Sequence, residues 1–286
     1  MLEFAGTHRR CGHCAASSLT PAAATLHREL MDLGLKGKRA LITGSSRGIG
    51  SAVSQCLAAE ACDLVLVARD SARLAQLEAQ IAARHPSVNV QLIALDLREP
   101  GACPRLAREA GPVDILINNA GDIPGGSLLD IDEATWRNAW DLKVFATINL
   151  TREVYRDMRA RHAGVILNVV GTAGERPRGD HIAVSSGNAA LLAFTRALGM
   201  ESVNHGVRVL AVNPGATETD RQIVRWKKKA AAELGDENRW PELLAPYPFG
   251  RLARPAEIAS LITFLASDQA TYVSGTVVTA DGGGQR

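Results

Sequence analysis

The chain has 286 residues, 46% apolar, 22% charged and 4% aromatic, with 32 Lys and Arg against 30 Asp and Glu. A net charge of +2 gives no electrostatic footprint for nucleic acid or an anionic membrane, and no uncharged apolar run approaches the roughly 18 residues of a membrane span. Five Cys, at 11, 14, 56, 62 and 103, read as reduced thiols of a cytoplasmic protein, because a chain this long buries a core without disulfide or metal staples.

Residues 1–35 are rich in Ala, Ser and Thr and lack a clear period, so a loose N-terminal extension is expected there. Glu3, His8, Arg9 and Arg10 break any apolar run that a secretory signal would need. Cys11-Gly-His-Cys14 lacks a second Cys/His pair at suitable spacing, so no metal site is expected. From Lys38 onward, short apolar runs alternate with longer amphipathic stretches. The predicted strands are 39–43, 63–68, 90–95, 113–118, 164–170, 207–212 and 276–279. The predicted helices are 49–61, 71–84, 133–161, 182–204 and 255–267. Continuous rather than alternating apolarity marks strands covered on both faces. Strands alternating with helices predict an α/β fold: a single-domain, Rossmann-like, doubly wound parallel sheet of about seven strands over residues 36–286, with helices on both faces.

Directly after the first strand stands Thr43-Gly44-Ser45-Ser46-Arg47-Gly48-Ile49-Gly50, opening a helix. Glycines here let the backbone turn sharply and approach a pyrophosphate, while the helix N-terminus offers free N–H groups and positive dipole. The second strand ends in Ala68-Arg69-Asp70, with no carboxylate at the tip to accept a ribose 2′-hydroxyl. Arg69 and Arg47 supply two guanidiniums suited to a 2′-phosphate, which favours NADP(H) over NAD(H). Asp96, followed by Leu97, ends the third strand and is expected to face the adenine. Asn118-Asn119-Ala120-Gly121 ends the fourth.

With Asn213-Pro214-Gly215-Ala216-Thr217-Glu218-Thr219, Arg251-Leu252-Ala253-Arg254-Pro255 and Asp281-Gly282-Gly283, these motifs resemble the short-chain dehydrogenase/reductase family from about Leu35 to the C-terminus. The resemblance implies a hydride-transferring oxidoreductase, commonly a homodimer or homotetramer. It places Gly44, Ser46, Arg47, Gly48, Ile49, Gly50, Arg69, Asp96, Leu97, Asn119, Ala120, Gly121, Asn188, Pro214, Gly215, Thr217 and Thr219 around the nucleotide.

Family members use an Asn, a Ser and a Tyr–Lys pair for the chemistry. Matched one at a time, the Asn position is Lys143, the Ser position Gly171, the Tyr position Val184 and the Lys position Asn188. All four depart from the pattern. A Val has no proton to give, and general acid–base assistance is worth roughly 10²–10⁴-fold. Two readings follow. In one, the enzyme keeps hydride transfer with relocated groups: Lys143 as an ammonium entering from the opposite helix, Thr172 as hydroxyl, His181 as a titratable group. In the other, the chain binds cofactor without dehydrogenase chemistry, as a regulatory or partner subunit. Residues about 218–250 form the expected substrate lid. Arg221, Arg225 and Lys228 or Lys229 share one helical face by spacing, which suits an anionic substrate or simply a solvated surface. Trp226, Trp240, Tyr247 and Phe249 line a hydrophobic substrate pocket or pack the lid.

Overall fold

The computed structural model describes residues 31–284; most of the expected N-terminal extension and the Cys11–Cys14 pair lie outside the described residues. Seven strands form one sheet: β1 (Arg39–Thr43), β2 (Asp63–Ala68), β3 (Val90–Ala94), β4 (Ile115–Asn118), β5 (Gly164–Val169), β6 (Val207–Pro214) and β7 (Val277–Ala280). Every pairing is parallel, in the order β3-β2-β1-β4-β5-β6-β7. The central strands are buried along almost their whole length, as the uninterrupted Val, Ile and Leu runs require.

Eight α-helices flank the sheet among the described residues: α1 (Gly48–Ala59), α2 (Ser71–Arg84), α3 (Ala102–Ala110), α4 (Glu133–Trp140), α5 (Ala146–Ala160), α6 (Ile182–Ser202), α7 (Asp220–Leu234) and α8 (Pro255–Ala266). Two apolar layers result. One takes Val53 and Leu57 of α1, Leu74 of α2 and Ile258 of α8 against Ile42 and Leu66. The other takes Leu106 of α3, Leu150 and Val154 of α5 against Leu41 and Leu116. Leu35 is buried in the first layer and Leu33 packs on it, so the folded body begins ahead of residue 36.

The single helix expected over 133–161 is divided. Between α4 and α5, Asp141–Phe145 forms a π turn, a widening that often accompanies functional sites. α3 is a helix the periodicity missed: at nine residues it is short, and it starts after Gly101 in the left-handed region (φ 73°).

Below the C-terminal end of the sheet runs a buried polar relay. Asn118 Nδ2 donates to Thr151 Oγ1 of α5 (2.9 Å) and to Asn168 Oδ1 of β5 (2.9 Å). Asn168 Nδ2 then donates to Thr195 Oγ1 of α6 (2.8 Å), whose hydroxyl donates to the Leu191 carbonyl (2.7 Å). With these donors satisfied in a dry interior, the relay fixes α5 and α6 against β4 and β5 rather than destabilising them.

Candidate active site

Where strand order reverses between β1 and β4, neighbouring connections leave to opposite faces and open a crevice at the strand C-termini. A crevice of about 510 Å³ lies there. Its floor is laced together. The buried Thr43 hydroxyl accepts the N–H groups of Asn119 and Ala120 (3.0 Å each), and Asn119 Nδ2 donates back to the carbonyls of Thr43 (3.0 Å) and Gly44 (3.1 Å). Gly44 has φ 65°, and a Cβ on it would stand 2.9 Å from Ala120 Cα. A Cβ on Gly50 would stand 2.3 Å from the Gly44 carbonyl oxygen. Arg47, the N-cap of α1, caps it with no side-chain bond, so first-turn N–H groups face the crevice with the positive helix end. A pyrophosphate fits such a cradle.

Of the residues expected at the nucleotide, Gly44, Ser46, Arg47, Gly48, Ile49 and Arg69 line one side of this crevice, and Leu97, Asn119, Ala120, Gly121 and Thr219 the other. Gly50 is buried beneath. Asp96, expected to face the adenine, is not part of this lining and is engaged within its own loop. Its carboxylate accepts from Arg98 Nε (3.0 Å) and Nη2 (2.6 Å), and that bonding holds it below the usual carboxylate range. Leu95 and Leu97 form the wall instead. Arg73 also lines this end and sequence reading passed over it. It lies one helical turn beyond Arg69, beside Asp70, which caps α2 by accepting from the Arg73 N–H (3.0 Å).

Asn188, Pro214, Gly215 and Thr217 lie outside this lining. Gly215 is pinned by its N–H to the Ala280 carbonyl (3.0 Å), and the Thr217 hydroxyl donates to the Gly215 carbonyl (3.0 Å). Thr219 caps α7 by accepting from the Gln222 N–H (3.3 Å), and its methyl closes over Gly48: a Cβ there would be 2.9 Å away.

Lys143 sits on the π turn, 8% exposed. Its Nζ donates to the Val169 carbonyl at the end of β5 (2.6 Å). Its stem lies under Gly121, where a Cβ would be 2.4 Å from Lys143 Cδ; from a different direction Arg221 Nη1 donates to the Gly121 carbonyl (3.1 Å). Burial, and secondarily Arg221, push the Lys143 ammonium down to about 8, because both penalise the charged form. Asn188, also buried, donates from Nδ2 to the Gly171 carbonyl (3.2 Å). Lys143 and Asn188 therefore converge on carbonyls two residues apart. Gly171 has φ 126°, and its N–H donates to Asn213 Oδ1 (3.1 Å).

Thr172 opens a 3₁₀ turn over Thr172–Gly174 and is half-buried. Val184 packs against an apolar group containing Ile123, Ile131, Ala139 and Ala183, with Trp140 alongside. His181 precedes α6, and its strand-like bridge with Gly126 presses the ring toward Gly125, where a Cβ would be 3.1 Å from Nε2. Its Nδ1 lies 3.1 Å from Asp180 Oδ1 but out of hydrogen-bond alignment. Arg178, then His181, hold the Asp180 carboxyl well below its usual range. The Ser185 hydroxyl accepts from the Arg178 N–H (3.1 Å), tying this loop to α6.

Residues 38–230 match the short chain dehydrogenase family. The chain belongs to that family. It is 32% identical over 256 residues to 2,3-dihydro-2,3-dihydroxybenzoate dehydrogenase of Bacillus subtilis, covering 87% of this chain and 97% of that one. Among solved structures, L-sorbose reductase of Gluconobacter frateurii, complexed with NADPH and L-sorbose, superposes with a TM-score of 0.83 at 32% identity, over 90% and 99% of the two chains. An NADPH-bound short chain oxidoreductase of Pseudomonas aeruginosa PAO1, described as containing an atypical catalytic center, gives 0.79 at 27% identity over 87% and 97%.

In this short-chain dehydrogenase/reductase the segment after β6 folds onto itself. Trp226 and Leu244 are buried with Leu252, and Trp240, Leu243 and Tyr247 pack around them. Trp226 and Tyr247 meet edge to face at 5.2 Å. Three of the four aromatics thus form the segment's own small core, while Phe249 stands 82% exposed. Among the described residues no helix is long and apolar enough to cross a membrane, and no His, Cys, Asp and Glu cluster suits a metal.

Proposed function

We propose that the chain is an NADP(H)-dependent oxidoreductase acting on a carbonyl/alcohol pair, with acid–base groups other than the family's usual Tyr and Lys. The glycine cradle would hold the pyrophosphate, and Arg47 and Arg69, joined by Arg73, would take the 2′-phosphate, which selects NADP(H). Solved relatives bound to NADPH support that choice. When bound, the cofactor supplies a hydride from its nicotinamide. The protein's own task is the proton: reduction breaks the carbonyl π bond, adds hydride to carbon and needs a proton at oxygen.

The observation that carries this reading is Lys143, an ammonium at the C-terminal end of β5 whose pKa burial brings to about 8. A group so placed is protonated at neutral pH yet parts with its proton easily. Asn188 and Thr172 would order polar groups beside it, and His181 would relay a proton from solvent. Residues 218–250 would close over the substrate, and the functional unit would be a homodimer or homotetramer of the folded domain.

A second reading rests on a specific contact: Val184 is packed among apolar side chains and the Lys143 ammonium is enclosed, as in a nucleotide-binding partner subunit that does no redox chemistry. Calorimetric titration with NADPH, NADP⁺ and NADH, run beside an assay of NADPH oxidation on a panel of ketones and ketoses, separates the two. Turnover that disappears in Lys143→Met while NADPH still binds supports the first. Tight binding with no turnover on any substrate supports the second, and no binding of either coenzyme refutes both.

A further inference from the structure

The basic face that spacing assigns to the lid helix is divided in the structure. Lys229 lies over the Trp226 ring (5.2 Å) beside Glu233 (3.9 Å), while Lys227, off that face, reaches Glu237 (3.5 Å). Arg221 and Arg225, four residues apart, turn instead to the segment that follows β4. Arg221 is satisfied there, paired with Asp122 at 2.6 Å in addition to its bond to Gly121. Arg225 is not. It makes one long bond, from Nη2 to the Ile123 carbonyl (3.5 Å), and among the described residues no carboxylate oxygen lies within 4 Å of it.

The surroundings make that guanidinium an unanswered charge. Arg225 is an exposed residue, with its guanidinium crowded on one side by the protein and then by Arg221, and with Asp122 opposing. Lys143, Arg221 and Arg225 thus converge on Gly121–Ile123, and Asp122 is the carboxylate that answers them, already engaged by Arg221. Asp180, on the far flank, is committed to Arg178 and His181. Ile123 connects this charge to the chemistry: its carbonyl meets Arg225, and its side chain packs with Val184 and Trp140 at the start of α6.

We propose that Arg225 recognises a free carboxylate on the substrate, so that the reaction interconverts an oxo acid and its hydroxy acid, with the apolar body of the molecule against the partly exposed Val184 and Trp140. This rests on the oxidoreductase reading above. A guanidinium with parallel N–H groups and no protein carboxylate matches a planar carboxylate bidentately. A phosphate dianion would call on further free donors, and the neighbouring arginine is already engaged.

The test compares benzoylformate, benzoylacetate and levulinate (2-, 3- and 4-oxo acids) with their methyl esters as substrates for the NADPH-loaded full chain. At least one acid is expected to exceed its ester at least tenfold in kcat/KM, mainly through KM. Arg225→Leu is expected to raise KM for that acid about 10- to 100-fold, the range for charge-assisted hydrogen bonds, and to bring the acid-to-ester ratio toward one. Arg225→Lys should recover part of the preference, as a charge without the planar fork, and Lys36→Leu, at an exposed position outside the site, should leave the ratio as it is. Esters consumed as readily as acids, or an acid KM indifferent to Arg225→Leu, would overturn the carboxylate assignment and leave the oxidoreductase reading intact. If none of the pairs turns over, benzoate titrated into the NADPH-loaded protein, followed by tryptophan fluorescence, decides. Binding that weakens at least tenfold in Arg225→Leu supports the carboxylate site, while equal binding by both proteins, or none, overturns it.

Discussion

The Lys143 ammonium makes an unusual demand on stability, and Lys143→Met exposes it. Its pKa falls from an ordinary 10.5 to about 8 on folding. Each unit of that fall is about 1.4 kcal/mol, so the buried charge works against folding by about 3 kcal/mol at pH 7. Between pH 8 and 10.5 the unfolded chain holds a proton that the folded chain has released, so stability rises with pH across that window. The contribution is most adverse below pH 8 and is gone above 10.5. Methionine matches the length of the stem without a charge, so the parent should gain on Lys143→Met by about 1 kcal/mol between pH 7 and pH 9. Urea unfolding of both proteins at half-unit pH steps measures the difference directly, since the other titrating groups are common to the two. A difference that stays flat from pH 7 to 9 would mean that the ammonium is solvated in the folded protein. That result would remove both the pKa of about 8 and the role proposed for Lys143. The kinetic counterpart is a carbonyl-reduction rate that falls as pH rises through about 8, with Lys143→Met below one per cent of parent activity on the scale of lost acid–base assistance.

Arg69→Ala should lower the ratio of NADPH to NADH affinity by about 10- to 100-fold, the worth of charge-assisted bonds to a phosphate; calorimetry with both coenzymes checks it, and an unchanged ratio would end its assignment. Gly44→Ala places a Cβ 2.9 Å from Ala120 Cα at φ 65°, so NADPH binding should drop at least tenfold, with a Tm loss of a few degrees from strain of about 1–2 kcal/mol. Gly171→Ser should not restore ordinary family chemistry, because φ 126° disfavours a side chain there. Its expected signature is lower thermal stability with no gain in reductase rate, and a faster enzyme would show that the backbone relaxes. Thr219→Ala removes the α7 cap at a cost of about 1 kcal/mol, expected to appear as faster limited proteolysis within residues 220–250.

The strands were legible because burial on both faces writes itself as continuous Val, Ile and Leu. β1 and β2 fall on their expected bounds at Arg39–Thr43 and Asp63–Ala68. The glycine cradle was legible for a related reason: Gly44 and Gly50 answer steric conditions that no other residue meets. Charge partners were not legible. Arg98 captures Asp96 from two residues away, a contact that follows from local backbone direction rather than from any periodic pattern. The π turn at Asp141–Phe145 was hidden as well, since one widened turn hardly disturbs an amphipathic period over 133–161. Yet it sets the direction from which Lys143 enters. The basic stripe on α7 looked uniform in sequence because spacing fixes a face but not a reach, and only Arg221 and Arg225 extend to the loop after β4.

The relay from Thr151 through Asn118 and Asn168 to Thr195 anchors α5, which continues the π turn bearing Lys143, and α6, which bears Asn188, and it passes through neither of those residues. Scaffold and reagent are therefore separately mutable here: residues 143, 171, 184 and 188 can be drafted and redrafted by evolution, or at the bench, while the frame that aims them keeps its grip.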